Sequence, residues 1–322
     1  MATIKEVAKL AGVSVATVSR VLNNQGYVHL DTRGKVEKAI KQLNYTPNAV
    51  ARSLFKKASN TIALIIPDIA NPYFPQLVKW IEKELTEAGY DLLLFNSNND
   101  IDKELRLLYL LEAKYIDGLL LVSNYLTKED VKKVTLPIVA LDQFLDEEIP
   151  SVTVDNYQGA KEAVRHLIDS GCQSIGHIVG PQDSYTSKHR LRGYLDVMEE
   201  QNKTPRIVEG EYDLTTAMEQ TALLLEQYPD IDGIFAGNDV MGIGAIKVIQ
   251  SLGLNVPEDI AVIGFDGIDW GTVITPELTT MAQPIQSLAQ AATQLVLDLI
   301  KKKETNTHYQ YKATLEKRQS TH

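Results

Sequence analysis

Arg20 sits among small side chains and hydroxyls, a grouping that suits the reading of a DNA base edge. On a helix turning about 100° per residue, Ala16, Arg20 and Asn23 share one face, Thr17 and Ser19 flank it, and Val18, Val21 and Leu22 point the other way. An arginine grips guanine with two hydrogen bonds in the major groove, small neighbours allow close approach, and hydroxyls bind phosphate oxygens. A second grouping lies downstream, where carboxylates, amides, aromatic rings and an arginine recur as apolar runs end. Its members are Asp68, Asn71, Tyr73 and Phe74; Asn96 and Ser97; Ser123 and Asn124; Asp142 and Gln143; the stretch 180–190, closing on Arg190; Tyr212; Asn238 and Asp239; Asp266; and Gln283. Carboxylates and amides satisfy hydroxyls pairwise and ring faces stack on C–H surfaces, so this chemistry suits a sugar. Each member could instead cap a helix, Asn71 and Asn238 in particular; the convergence of several favours binding.

The Arg20 face needs two short helices to carry it. Thr3 can cap the first, with Glu6 three residues on to close a capping box, and Ile4, Val7, Ala8 and Ala11 fall on one side. Gly12 supplies the backbone freedom of a tight turn, and Ser14 can cap a second helix over 15–23. The pair reads as a helix-turn-helix, with an ordinary helical hairpin as the alternative. So short a pair cannot bury its apolar side alone, and a third helix is expected over 32–43 with Val36, Ile40 and Leu43 as its stripe. Pro47 then fits the first turn of a further helix running to about residue 55. That helix is too short to be stable in water by itself. Its strip of Val50, Ala51 and Leu54 either rests on a domain or pairs with a copy of itself and with DNA.

From residue 61 the pattern alternates between strand and helix. Buried parallel strands are expected at 62–66, 92–95, 118–122, 138–141, 174–179, 233–236 and 260–264, and amphipathic helices at 74–89, 103–114, 157–170, 188–201, 215–227, 239–252 and 285–302. That order implies α/β architecture with two doubly wound lobes, in which ligands bind at the carboxyl ends of strands. Segments 152–154 and 278–283 are expected to cross between the lobes, and 307–315 to form one last return strand.

Charge divides along the same line. The chain of 322 residues carries a net charge of −10, yet residues 1–60 hold ten Lys/Arg against three acids and the remainder 22 against 39. A basic head on an acidic body is the footprint of a DNA-reading domain joined to something else. Cys172 is the only cysteine, which excludes a disulfide within the chain. No apolar run approaches the roughly 18–20 residues that span a bilayer, and the N-terminus has no signal-peptide core, so no membrane partner and a cytoplasmic location are expected.

Residues 3–23 and 45–54 together resemble the headpiece and hinge of the lactose/galactose repressor family of bacterial transcription regulators. The downstream body resembles the periplasmic-binding-protein type of sugar-binding core that this family carries. The resemblance implies a three-helix headpiece over 1–45, a hinge helix and linker over 46–60, and a sugar-binding and dimerisation core over 61–322. Within that core one lobe takes about 61–156 and 287–312 and the other about 157–286 and 313–322. It assigns DNA contacts to Thr3, Ser14, Val15, Ala16, Thr17, Ser19, Arg20, Asn23, Tyr45, Asn48, Ala51 and Leu54, with Leu54 wedging between base pairs in the minor groove at a cost of about a few kcal/mol per unstacked step. Val15 and Ala16 cannot donate hydrogen bonds, which leaves Arg20 most of the direct readout. It assigns effector contacts to Phe74, Asp142, Arg190, Asn238, Asp266 and Gln283, joined by Tyr73, Gln143, Asn156 and Tyr212. The strings N-P-Y-F, L-D-Q-F and I-G-F-D-G look most like ribose-type repressors. One departure is Gln143, where several ribose binders place arginine, and it leaves sucrose or another carbohydrate open.

The implied partners are double-stranded operator DNA, a small-molecule sugar and a second copy of the chain, in a homodimer that sugar releases from DNA by closing the core. A carbon-catabolite regulator using a phosphoprotein corepressor is the alternative, and a purine-type relative would reverse the ligand's sign. An enzyme is not expected, nor a cofactor or metal. The six histidines at 29, 166, 177, 189, 308 and 322 show no metal spacing, no phosphate loop occurs, and Gly242 with Gly244 lacks the third glycine of a dinucleotide site. No nucleophile motif accompanies any serine.

Overall fold

The computed structural model describes residues 2–22, 26–45, 59–304 and 306–322. The chain falls into two compact units, divided between Ser59 and Asn60.

The first unit contains α1 (Ile4–Ala11), α2 (Val15–Leu22) and α3 (Leu30–Gln42). Thr3 caps α1 and closes the capping box with Glu6. Gly12 ends α1 in the left-handed region at φ 68°, a conformation that side chains with a Cβ rarely adopt. The Ser14 hydroxyl accepts the Thr17 N–H at 3.1 Å and so starts α2. The third helix begins two residues before the expected position, because the His29 ring rather than a downstream threonine accepts the first free N–H, that of Asp31. Val7, Ala8, Ala11, Val18, Val21, Val36 and Ala39 form the buried core.

The second unit is built on two six-stranded sheets. In chain order come β1 (Thr61–Ile66), α4 (Tyr73–Glu87), β2 (Asp91–Asn96), α5 (Ile101–Ala113), β3 (Gly118–Leu121), α6 (Lys128–Val131), β4 (Ile138–Leu141) and β5 (Ser151–Val154). Then follow α7 (Asn156–Asp169), β6 (Ile175–Val179), α8 (Tyr185–Glu200), β7 (Arg206–Glu209), α9 (Leu214–Gln227), β8 (Gly233–Ala236), α10 (Asp239–Ser251) and β9 (Ala261–Asp266). A 3-10 turn at Asp269–Thr272, β10 (Thr279–Ala282), α11 (Ile285–Ile300), β11 (His308–Tyr311) and β12 (Thr314–Glu316) complete the unit. The first sheet has the order β11-β5-β4-β3-β1-β2 and the second β12-β10-β9-β8-β6-β7. All pairings are parallel except that of β12 with β10.

Both faces of each sheet are covered, which is why these strands read as near-continuous apolar runs. Along β1, Ile62, Leu64 and Ile66 pack into the cluster shared with α4, α7, α8 and α11, while Ala63 and Ile65 face the cluster under α5. A third cluster, with α9 and α10, covers the outer face of the second sheet.

Three expectations about connections are corrected. Segments 152–154 and 278–283 are not bare crossings; they form β5 and β10, hydrogen-bonded within their own sheets, and the chain crosses just after each. The expected single return strand over 307–315 is two strands, one in each sheet, separated at Lys312-Ala313. Strand β7 had no expectation, because an edge strand with alternate residues exposed lacks the continuous apolar run that marked the others.

Candidate functional site

On the headpiece, Val15, Ala16 and Arg20 are exposed on α2, Thr17 and Ser19 are half-buried, and Val18 and Val21 lie in the core. The Ser14 and Thr17 hydroxyls lie 2.9 Å apart and hydrogen-bond each other, and the Thr3 hydroxyl is held by Glu6. These three residues therefore build the helix starts as well as standing at the surface. Tyr45 packs on the headpiece core. Tyr27 and Leu30 are also strongly exposed, at 88% and 81%; periodicity gave no sign of them because Tyr27 precedes α3 and Leu30 is its first residue, ahead of the expected start. Asn23, Asn48, Ala51 and Leu54 lie outside the described residues.

In the second unit a cleft opens at the carboxyl ends of the strands, where ligands bind in open α/β sheets. It is lined by Tyr73, Phe74, Asp142, Gln143, Arg190, Tyr212, Asn238 and Asp266. Asn156 and Gln283, expected among the contacts, do not line it; they stand behind it. The Asn156 Oδ1 accepts Arg190 Nε at 2.8 Å, and the Gln283 Nε2 donates to Asp266 Oδ1 at 2.7 Å. Gln283 Oε1 in turn accepts the Tyr73 hydroxyl at 3.2 Å.

Arg190 is the centre of this arrangement. It is 2% exposed, and its Nη2 donates to Asp266 Oδ1 at 3.1 Å. Its Nη1 donates to the Gly237 carbonyl, and its guanidinium lies 3.8 Å from the centre of the Phe265 ring. Burial alone would lower its pKa, but Tyr212, Asp266 and Asp142 raise it beyond the usual value, so it stays cationic. A buried charge held this way costs desolvation that only full hydrogen bonding offsets, and two amides from the crossing segments complete that bonding.

Asp142 contrasts with Asp266. Its Oδ1 is buried without a partner. Desolvation pushes its carboxyl up to about 7, against the pull of Arg190 and with a further push from Asp266. The residue itself is half-buried and lines the cleft, so its carboxylate is a place for a ligand hydroxyl. Asp142, Tyr212 and Asp266 have φ of 60°, 56° and 114°, backbone that turns each side chain off the end of its strand or loop. Such conformations cost about 1–3 kcal/mol and cluster at ligand sites.

The aromatic and amide members complete the lining. Tyr73 and Phe74 meet edge-to-face at 5.3 Å. The Tyr212 hydroxyl bonds Thr186 at 3.0 Å; its ring lies so close to Gly180 that a Cβ there would sit 2.3 Å away, so only glycine fits. Asn238 is both a cap and a lining residue: its Oδ1 accepts Met241 N–H at 2.9 Å, which leaves its NH2 end for a ligand. Gln143, oriented to satisfy both partners, bonds the main chain of Ser123, so its amide serves the scaffold. Asp239, from the strand-end group, is buried beneath the site. It accepts Gly267 and Ile268 N–H, each at 2.8 Å, and holds the turn that presents Asp266. Asn99, Glu211 and Asp213 line the cleft as well; they fall a few residues beyond the strand ends that the sequence picks out.

Among the described residues, no group of three His, Cys, Asp or Glu is placed to hold a metal. No helix of the described residues is long and apolar enough to cross a membrane.

Comparison with known proteins agrees with both units. Residues 59–318 match the family described as periplasmic binding proteins and sugar binding domain of LacI family, and residues 3–48 match bacterial regulatory proteins, lacI family. The "Ribose operon repressor" of Halalkalibacterium halodurans is 42% identical over 322 residues, covering 100% of this chain and 97% of that protein. The Lac repressor dimer bound to operator and the anti-inducer ONPF is 28% identical, with a TM-score of 0.90 over 99% of this chain and 98% of that one. A LacI family transcriptional regulator from Enterococcus faecium with bound ribose is 27% identical, with a TM-score of 0.75 over 81% of this chain and 98% of that one.

Proposed function

Because the chain belongs to the LacI family of bacterial regulatory proteins, we propose that it is a sugar-responsive repressor of a ribose-utilisation operon, acting as a homodimer on double-stranded operator DNA. In this reading residues 1–45 are the DNA-binding headpiece, 46–60 the hinge and 61–322 the core. The protein is a regulator of the cytoplasm and not an enzyme. The observation that carries the reading is the cleft, where Arg190 and Asp266 are paired and bonded in advance while the half-buried Asp142 carboxyl lines it without a hydrogen bond to its Oδ1. That set lacks only the hydroxyls of a sugar. The relative named a ribose operon repressor and the regulator solved with ribose support ribose as the effector.

Asp142, Arg190, Asn238 and Asp266 contact the sugar, Phe74 and Tyr212 pack on it, and Tyr73, Gln143, Asn156 and Gln283 position the others. On the headpiece, Arg20 reads a base, Val15 and Ala16 sense shape or a thymine methyl, and Leu54 wedges the minor groove. Leu93 and Leu94 on edge strand β2, with Trp270 and Val273, are apolar and exposed, which suits faces covered by a second copy. Closure of the cleft by sugar shifts the core across that interface and separates the hinges. A short, marginal hinge makes this possible, since a modest differential affinity decides whether it folds.

The experiment is operator binding titrated with D-ribose, sucrose and a phosphorylated partner protein. Release by D-ribose supports the reading. Operator affinity indifferent to every sugar, but raised by the phosphoprotein, overturns it.

A further inference from the structure

We propose that the cleft is a charge filter, admitting an uncharged sugar and rejecting its phosphate ester, so that the protein senses a sugar before its phosphorylation. The inference rests on the sugar-response reading and adds the charge state of the ligand. Five carboxylates line the cleft, those of Asp68, Asp142, Glu211, Asp213 and Asp266, and among the described residues Arg190 is the one cation that does. Arg190 is already committed to Asp266, the Gly237 carbonyl and Asn156, whereas phosphate recognition draws on several charge-assisted donors at once.

Helix N-termini are the usual alternative host for a phosphate, each carrying about half a charge. Four helices, α4, α8, α9 and α10, begin at the cleft, and Asp213 caps the start of α9. The start of α10 is capped by Asn238 and carries Asp239 in its first turn, and the first N–H groups of α4 go to Asn71. Even uncapped, four such ends at about half a charge each offset about two of the five carboxylates, and Arg190 offsets the one it pairs with, Asp266. The cleft therefore stays negative. The Asp142 carboxylate accepts a hydroxyl proton and, when ionised, repels a phosphate oxygen, and Glu211 and Asp213 extend the same sign towards the cleft mouth. A nucleoside-triphosphate-dependent kinase moves the γ-phosphoryl group onto a sugar hydroxyl and releases the diphosphate and a proton. Such a reaction would end the signal this protein reads.

The test uses the full chain on operator DNA. Binding and operator release are titrated with D-ribose and D-ribose 5-phosphate, and with sucrose and sucrose 6-phosphate. The free sugar that works should bind at least about thirtyfold more tightly than its ester, as expected for a multiply charged group among like charges at a few ångströms. Glu211→Gln, at an exposed position, should narrow that ratio with the fold intact. Asp142→Asn should narrow it further while also weakening the free sugar. An ester that binds as well as the free sugar, or a ratio unmoved by both substitutions, overturns the filter and leaves the sugar-response reading standing. If neither form of any of these sugars binds, the sugar-response reading fails and the filter with it.

Discussion

The exposed face of α2 and the cleft between the two sheets each present an arginine, and they hold it in opposite ways. Arg20 stands exposed on a helix of eight residues over a core in which no fully buried side chain is larger than valine. Arg190 is buried and fixed through three of its nitrogens. In the proposed function the DNA orders Arg20, and phosphate contacts and counterion release supply the affinity. The cleft pre-organises its arginine with internal partners, which suits the proposed sugar, since a small ligand brings too few contacts to order the site itself. One protein thus has a loose reader for a large, highly charged partner and a rigid one for a small polar partner.

The largest expected effect tests the rigid half. Arg190→Ala leaves Asp266 and Asp142 buried without their cation. Removing one member of a buried pair costs about 3–5 kcal/mol. Sugar response should vanish in titrations while operator binding survives at temperatures where the variant is folded; equal loss of both would erase the contrast between the regions. Next comes Leu54→Ala, which removes the proposed wedge. Operator affinity should drop by at least about tenfold, or ~1.4 kcal/mol, with sugar affinity near wild type. Parallel loss of both in the two titrations would reject the wedge. Arg20→Ala should relax preference at one base pair by about 1–3 kcal/mol, measured against an operator library; uniform weakening across all sequences would make Arg20 a phosphate contact.

The smallest effect comes from pH. Asp142 titrates at about 7 in the folded protein, against roughly 4 for an unperturbed aspartate, so folding takes up a proton in that interval. This group's contribution to stability is therefore full below about pH 4, falls as pH rises through 7, and is flat above. Asp142→Asn should make that slope shallower and raise stability at pH 8 in thermal melts of the sugar-free protein, with Asp239, pushed up to about 8 by burial, keeping the remainder. A variant as pH-sensitive as wild type would place the cost of cleft pre-organisation elsewhere.

Much of this was legible in the residue order. The capping box at Thr3 and Glu6, the turn at Gly12 and the apolar stripe of Val18 and Val21 are local signals, fixed by helix periodicity and by unsatisfied N–H groups within three residues. The strand ends were legible too, because buried parallel strands read as apolar runs and their last residues turn polar at Asp142, Asn238 and Asp266. Reading failed where the run was short or interrupted, at β5, β7 and β10, and where β11 and β12 follow one another with only two residues between.

The sequence by itself determined the helix-turn-helix, the α/β architecture and the set of side chains available to a sugar, since these depend on spacing over a few residues. Only the tertiary structure decided which of those side chains face the cleft. Asn156 and Arg190 are 34 residues apart, Arg190 and Asp266 76, and Tyr73 and Gln283 210. No periodicity reaches across such distances. The crossing segments turn the Asn156 and Gln283 amides onto the Arg190–Asp266 pair, since burying an ion pair costs desolvation that added hydrogen bonds offset, and they leave the Asp142 carboxyl in the lining of the cleft.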